Sequence, residues 1–171
     1  MEVLLLQFKM SSTYKRLINE YKKVNEINKI KEIEEIDNLS YKLHTIDSGN
    51  VMFRCDVNFF YNKLEYEIKI YYNKLYPFQS PLKLEINNNN IFSLYKKIMS
   101  ENSTLLNNNC LCCESLLCNS NWDVSKNIIH ILKEIKKVID YNELYIKRKL
   151  LNKIALKYTN QHLDYLEQYL L

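Results

Sequence analysis

Apolar residues first recur along the chain at helical spacing. After Ser11-Ser12, a pair able to cap a helix, come Tyr14, Leu17, Ile18, Tyr21 and Val24 at three- and four-residue steps. Lys15, Arg16, Lys22 and Lys23 fall on the other faces, so the pattern predicts an amphipathic helix. Ile27, Ile30, Ile33 and Ile36 extend it at a strict three-residue step, which drifts round a helix and leaves its end open. Alternation then takes over. Leu39, Tyr41 and Leu43 form one apolar set, and Asp47-Ser48-Gly49-Asn50 reads as a turn. Val51, Phe53, Cys55, Val57 and Phe59 form the next, followed by Tyr66, Ile68, Ile70 and Tyr72, then by Leu82, Leu84 and Ile86. These period-two segments with short links predict a four-stranded antiparallel meander with one buried face. Asn87 to Asn90 reads as a loop tip, and Ile91 to Met99 as a short helix.

Helical period returns after Val124, at Ile128, Ile131, Leu132, Ile135 and Val138, with Asp123 or Ser125 as the cap. It persists through Leu144, Leu150, Leu151, Ile154 and Tyr158, and again at Leu163, Leu166 and Leu170. Helix, strands, irregular segment and helices in that order predict an α+β fold, with helices packed on one face of the sheet and a helical C-terminus.

Composition adds three points. A chain of 171 residues suits a single domain, 1–171, able to bury a core without metal or disulfide support. One glycine and two prolines leave few ordinary turn residues, so asparagine, the best non-glycine residue in left-handed conformations, is expected to make many of the turns. The net charge of +4 comes from 24 basic and 20 acidic residues, mostly interleaved, as solvated helix faces are. No one-signed stripe with exposed aromatics is present, so nucleic acid is not an expected partner. No run reaches membrane-spanning length, and Met1 to Met10 lacks the basic start and long apolar region of a secretory signal. Five cysteines, an odd number, then read as reduced thiols of the cytosol or nucleus.

At Tyr76-Pro77-Phe78-Gln79-Ser80-Pro81, between two of the predicted strands, the sequence resembles the ubiquitin-conjugating enzymes. That family carries Tyr-Pro-Phe-x-Pro-Pro between two strands, and here Ser80 replaces one proline. Proline fixes φ and donates no hydrogen bond, so this stretch ends one strand and stiffens the turn. Downstream the family has an apolar residue, the catalytic cysteine, a leucine four positions later and a tryptophan ahead of a helix. Leu111, Cys112, Leu116 and Trp122 are similar to that series, and Cys113 with Leu117 also fits it. Cys112 is preferred, since Leu111 then precedes the nucleophile and Glu114 follows two positions after it. The resemblance covers residues 12–140 as a core and leaves 141–171 as a C-terminal helical extension. Several family features are missing. There is no His-Pro-Asn tripeptide before the cysteine, no Gly-rich flap before the strand at Glu65 and no Ser-Pro-Ala loop after the tryptophan. The stretch from Pro81 to Cys112 is about ten residues longer than usual.

The resemblance implies a carrier that takes ubiquitin or a ubiquitin-like protein from an activating enzyme as a cysteine thioester and passes it to a lysine amine, with no cofactor. It makes Cys112 or Cys113 the acceptor and leaves Asn102 as a candidate oxyanion donor. Lys15 and Arg16 would face the activating enzyme, and Phe78 a ligase. Plainer readings stand beside these: buried packing for the cysteines, solvated charge for the helix, a core position for Phe78 and packing at the helix start for Trp122. Cys110, Cys112, Cys113 and Cys118 also supply enough thiolates for structural zinc, but without the usual paired spacing, so no metal is assigned. The alternative to a carrier is a non-catalytic relative. RWD domains are similar in plan and carry a Tyr-Pro-x-x-x-Pro turn, which Tyr76 to Pro81 satisfies, and they act as protein-interaction modules.

Overall fold

The computed structural model describes residues 12–30, 36–102, 113, 115–118 and 120–159. Helix α1 (Ser12–Ile30) leads into β1 (Ile36–Ser48), β2 (Val51–Tyr61), β3 (Leu64–Tyr72), β4 (Lys83–Ile86) and β5 (Asn89–Asn90). Helices α2 (Ile91–Asn102) and α3 (Ile128–Thr159) follow. The strands form one antiparallel sheet in the order β1-β2-β3-β4-β5. The α+β expectation therefore holds, with one strand more than the pattern predicted. Asn89 and Asn90, expected in a loop tip, fold back to pair with Ile86 and Glu85.

Alternation places the core. Phe53, Cys55, Val57, Phe59 and Tyr61 of β2 are buried, as are Ile68, Ile70 and Tyr72 of β3 and Leu84 and Ile86 of β4. They pack with Leu17 and Tyr21 of α1, Ile91, Tyr95 and Ile98 of α2, and Ile128, Ile131, Leu132, Ile135 and Val138 of α3. Each such side chain contributes about 1.5–3 kcal/mol when fully buried. The intervening residues turn outward and pair across the surface: Asp56 lies 3.0 Å from His44 and 2.8 Å from Arg54, and Lys83 pairs with Glu85.

Asparagine makes the turns, as expected. Asn62 and Lys63 join β2 to β3, and Asn87 and Asn88 join β4 to β5, all at positive φ. Two consecutive positive-φ residues give the type I′ geometry whose twist matches that of the flanking strands. Gly49, at φ 60°, opens the turn between β1 and β2. Asn38, at φ 53°, sits where β1 slips register between Asp37 and Ser40.

Two sequence expectations need adjusting. Helix α1 includes Ile27 and Ile30 of the isoleucine step, Ile33 lies outside the described residues, and Ile36 opens β1 instead of extending the helix. The cap of α3 is neither Asp123 nor Ser125. Asn127 Oδ1 accepts the Ile129 N–H at 3.0 Å, while Asp123 receives the Ser125 N–H at 2.8 Å in the preceding loop.

Candidate functional site

The Tyr76–Pro81 turn is fixed from several directions. The Tyr76-Pro77 peptide is cis. Asn73 Oδ1 accepts the Leu75 N–H at 2.9 Å, Asn73 Nδ2 donates to Gln79 at 2.7 Å, and the Phe78 N–H donates to Leu75 O at 2.7 Å. The Leu82 N–H donates back to Tyr71 O at 2.8 Å, starting the return strand. Tyr76 is buried against Tyr72, ring centroids 4.6 Å apart. Its hydroxyl donates to Glu20 Oε2 at 2.7 Å, and burial beside that carboxylate pushes the phenol far above its ordinary range. Trp122 does what the packing reading expected. It is half-buried, stands 5.9 Å from the Tyr76 ring and donates its indole N–H to Pro77 O at 2.8 Å.

Glu20 is the joint of this assembly. Besides Tyr76 it receives the guanidinium of Arg16 and, at 3.0 Å, the backbone N–H of Ile128, the first residue of α3. One carboxylate thus ties α1, the turn and the start of α3, and it satisfies an N-terminal amide that Asn127 leaves over. Arg16 is committed here too, since its Nη2 donates to Val124 O and Lys126 O, each at 3.3 Å. Lys15, its neighbour, is exposed. The two residues assigned by resemblance to one partner face therefore differ in surroundings. Phe78, assigned to a ligase, is 77% exposed at the tip of the turn and is not a core residue.

The cysteine segment is held at its far end. Ser115 is fully buried, with its Oγ 3.1 Å from the Tyr95 hydroxyl and accepting the Leu117 N–H at 3.1 Å. The Tyr95 oxygen also lies 2.6 Å from Glu134 Oε1. A phenol has one proton and the carboxylate takes it, so the Ser115 hydroxyl supplies the hydrogen of the longer contact. Asn121 spends both amide hydrogens on this segment, at 2.6 Å to Cys113 O and 3.0 Å to Ser115 O.

Cys113 itself is exposed and Cys118 is half-buried. Both border a groove of about 460 Å³ whose other walls are Gln79, Ser80, Pro81 and Leu82 from the turn, Phe92 from α2, and Leu117. None of these side chains is charged. A larger opening of about 550 Å³ between α1 and the start of α3 collects Arg16, Lys22 and Lys23, and no cysteine lines it among the described residues. Cys55, by contrast, is walled into the core, and loss of solvation pushes its thiol up to about 12.

Cys112 and Cys110 lie outside the described residues. Asn102 closes α2, and its side chain is not among those described. The described residues hold no cluster of three or more His, Cys, Asp and Glu suited to a metal ion. Helix α2 occupies twelve of the residues between Pro81 and the cysteines. Sequence reasoning missed Glu20, Tyr95, Ser115, Asn121 and Glu134. Glu20 and Glu134 were detectable in principle, because each falls on an apolar helical stripe, at the third residue after Leu17 and after Ile131. A carboxylate on a buried stripe needs partners from another element. No helix among the described residues is long and apolar enough to cross a membrane. No protein-family model, curated protein or solved structure matches the chain.

Proposed function

We propose that the chain is a divergent ubiquitin-conjugating-type carrier in which Cys113 accepts the C-terminus of ubiquitin or a ubiquitin-like protein. The observation that carries the reading is the exposure of Cys113 at the mouth of a groove walled by the Tyr-Pro turn, whose described lining holds no charged side chain. Burial also favours Cys113 within the pair left open by the sequence. Leu117, four positions after Cys113, is 5% exposed, whereas Leu116, four after Cys112, is half-buried.

In the reaction the Cys113 thiol loses its proton to solvent, and the thiolate attacks the modifier's C-terminal carbonyl, held as a thioester on the activating enzyme. That enzyme's thiolate leaves. A lysine amine then attacks the new thioester, loses a proton, and the Cys113 thiolate leaves. An extended, uncharged tail suits the groove. Asn121 does not serve as an oxyanion donor, because both its amide hydrogens are committed to carbonyls. Lacking one such donor slows acyl transfer by roughly 10²–10³. If no other asparagine takes that place, the carrier is expected to load readily and discharge slowly to free lysine.

A non-catalytic, RWD-type interaction domain is the second reading. It is favoured by α2, which stands between the last strand and the cysteine segment. Incubation with an activating enzyme, ATP and ubiquitin or related modifiers, followed by non-reducing electrophoresis, separates the two. A reductant-sensitive adduct that survives Cys118→Ala and disappears in Cys113→Ala supports the carrier. Absence of an adduct with every modifier supports the interaction domain.

A further inference from the structure

The second half of α3 carries two rows that the thiol chemistry does not use. Ile146, Leu150 and Ile154 recur every fourth residue and are 55%, 58% and 45% exposed. Beside them Lys149, Lys153 and Lys157 recur at the same interval. Both rows therefore follow an i±4 ridge, with successive side chains about 6 Å apart along the axis. Where this face meets α2 it is recessed into a cleft of about 290 Å³ that includes Lys97 of α2. The floor is the buried Tyr145 ring, with Lys97 and Lys149 each 5.6 Å from its centroid, and Lys149 Nζ donates to the Tyr145 hydroxyl at 3.3 Å. The nearest acid in the sequence of this face, Glu143, is paired with Lys147 at 2.7 Å.

We propose that this cleft and its lysine row dock an acidic amphipathic helix of a partner protein. A helix offers the complement of this surface: apolar side chains to cover the apolar row and carboxylates to meet the lysines, in adjacent rows at the same four-residue pitch. Charge complementarity selects the sign, since desolvated like charges facing one another cost several kilocalories per mole. A second copy of the chain would bring one lysine row against another. A lipid bilayer is flat, whereas the row of Lys149, Lys153 and Lys157 lies to one side of the apolar row and Lys97 reaches in from a different helix across a recess. Neither occupant fits as an acidic helix does.

The test uses the full chain and a fluorescent synthetic peptide of about 20 residues, with leucines at helical spacing and glutamates in the neighbouring row. Anisotropy is expected to report binding that weakens as salt rises. The exposed double variant Lys149→Glu/Lys153→Glu is expected to lose about tenfold or more in affinity, equivalent to about 1.4 kcal/mol, and to prefer a peptide carrying lysines instead. Leu150→Asp weakens both peptides alike. Circular dichroism checks that each variant is folded. Equal binding by wild type and the double variant overturns the proposal, as does no binding up to about 1 mM peptide. Sedimentation with phosphatidylserine-containing vesicles in place of peptide binding assigns the face to a membrane and overturns it. Dimerisation abolished by Leu150→Asp, without peptide binding, assigns it to a second copy and overturns it too.

Discussion

Burial divides the described cysteines into a reactive and an inert class. Only the thiolate is nucleophilic, and with its thiol pushed up to about 12 Cys55 is ionised in about one molecule in ten thousand at pH 8. Brief iodoacetamide treatment at that pH is expected to label Cys113 and to leave Cys55 unlabelled until denaturant is added, as read by peptide mass spectrometry. Glu20 matters differently. Glu20→Ala deprives Tyr76, Arg16 and the Ile128 amide of one acceptor, and hydrogen bonds to charged groups contribute about 1.5–3 kcal/mol each. Part of that is recovered by water, because the Arg16 side chain is 37% exposed. A net loss of about 3 kcal/mol in urea unfolding is expected, with a smaller loss for Glu20→Gln.

The turns are where elements are made or strained. Lys63 sits at φ 65°, a conformation that costs an ordinary L-residue about 1 kcal/mol and glycine almost nothing. Lys63→Gly is therefore expected to raise the melting temperature by a few degrees and Lys63→Val to lower it, measured by circular dichroism. The sheet was readable in the sequence because alternation is a property of each strand alone, and α1 and α3 because their apolar stripes are long. The cap of α3 was not readable. Asp123, Ser125 and Asn127 are all competent capping types, and the choice among them rests on Glu20 arriving from α1 beside the Ile128 amide. The cysteine segment was legible only as a spacing relative to Trp122. It has no period of its own, and the groups that hold it, Tyr95, Asn121 and Glu134, come from three separate parts of the chain. The exposed groove beside Cys113 is a tertiary product of the turn and α2, and no local pattern announces it.

At the scale of the molecule, the core is rich in protonated acids of high pKa. Burial raises Tyr21, Tyr72, Tyr76 and Cys55 alike, and the Tyr21 and Tyr72 hydroxyls meet at 2.9 Å. In each case the folded value lies above the unfolded one, which is 10.0 for tyrosine and 9.0 for cysteine. Their contribution to stability is thus complete below about pH 9 and declines as pH rises above the unfolded values. Melting temperature is expected to hold level from neutrality to about pH 8.5 and to fall steeply between about pH 9.5 and 12, with the tyrosines ionising cooperatively on unfolding in ultraviolet difference spectra.

Helix α2 is twelve residues long and borders two separate concavities: Phe92 looks into the space beside Cys113, and Lys97 into the space floored by Tyr145. Five residues, about 7.5 Å of helical rise, part the two. It is a party wall. Tyr95, between them, is clamped to Glu134 and Ser115, so the wall the two concavities share is pinned at its middle to α3 and to the cysteine segment.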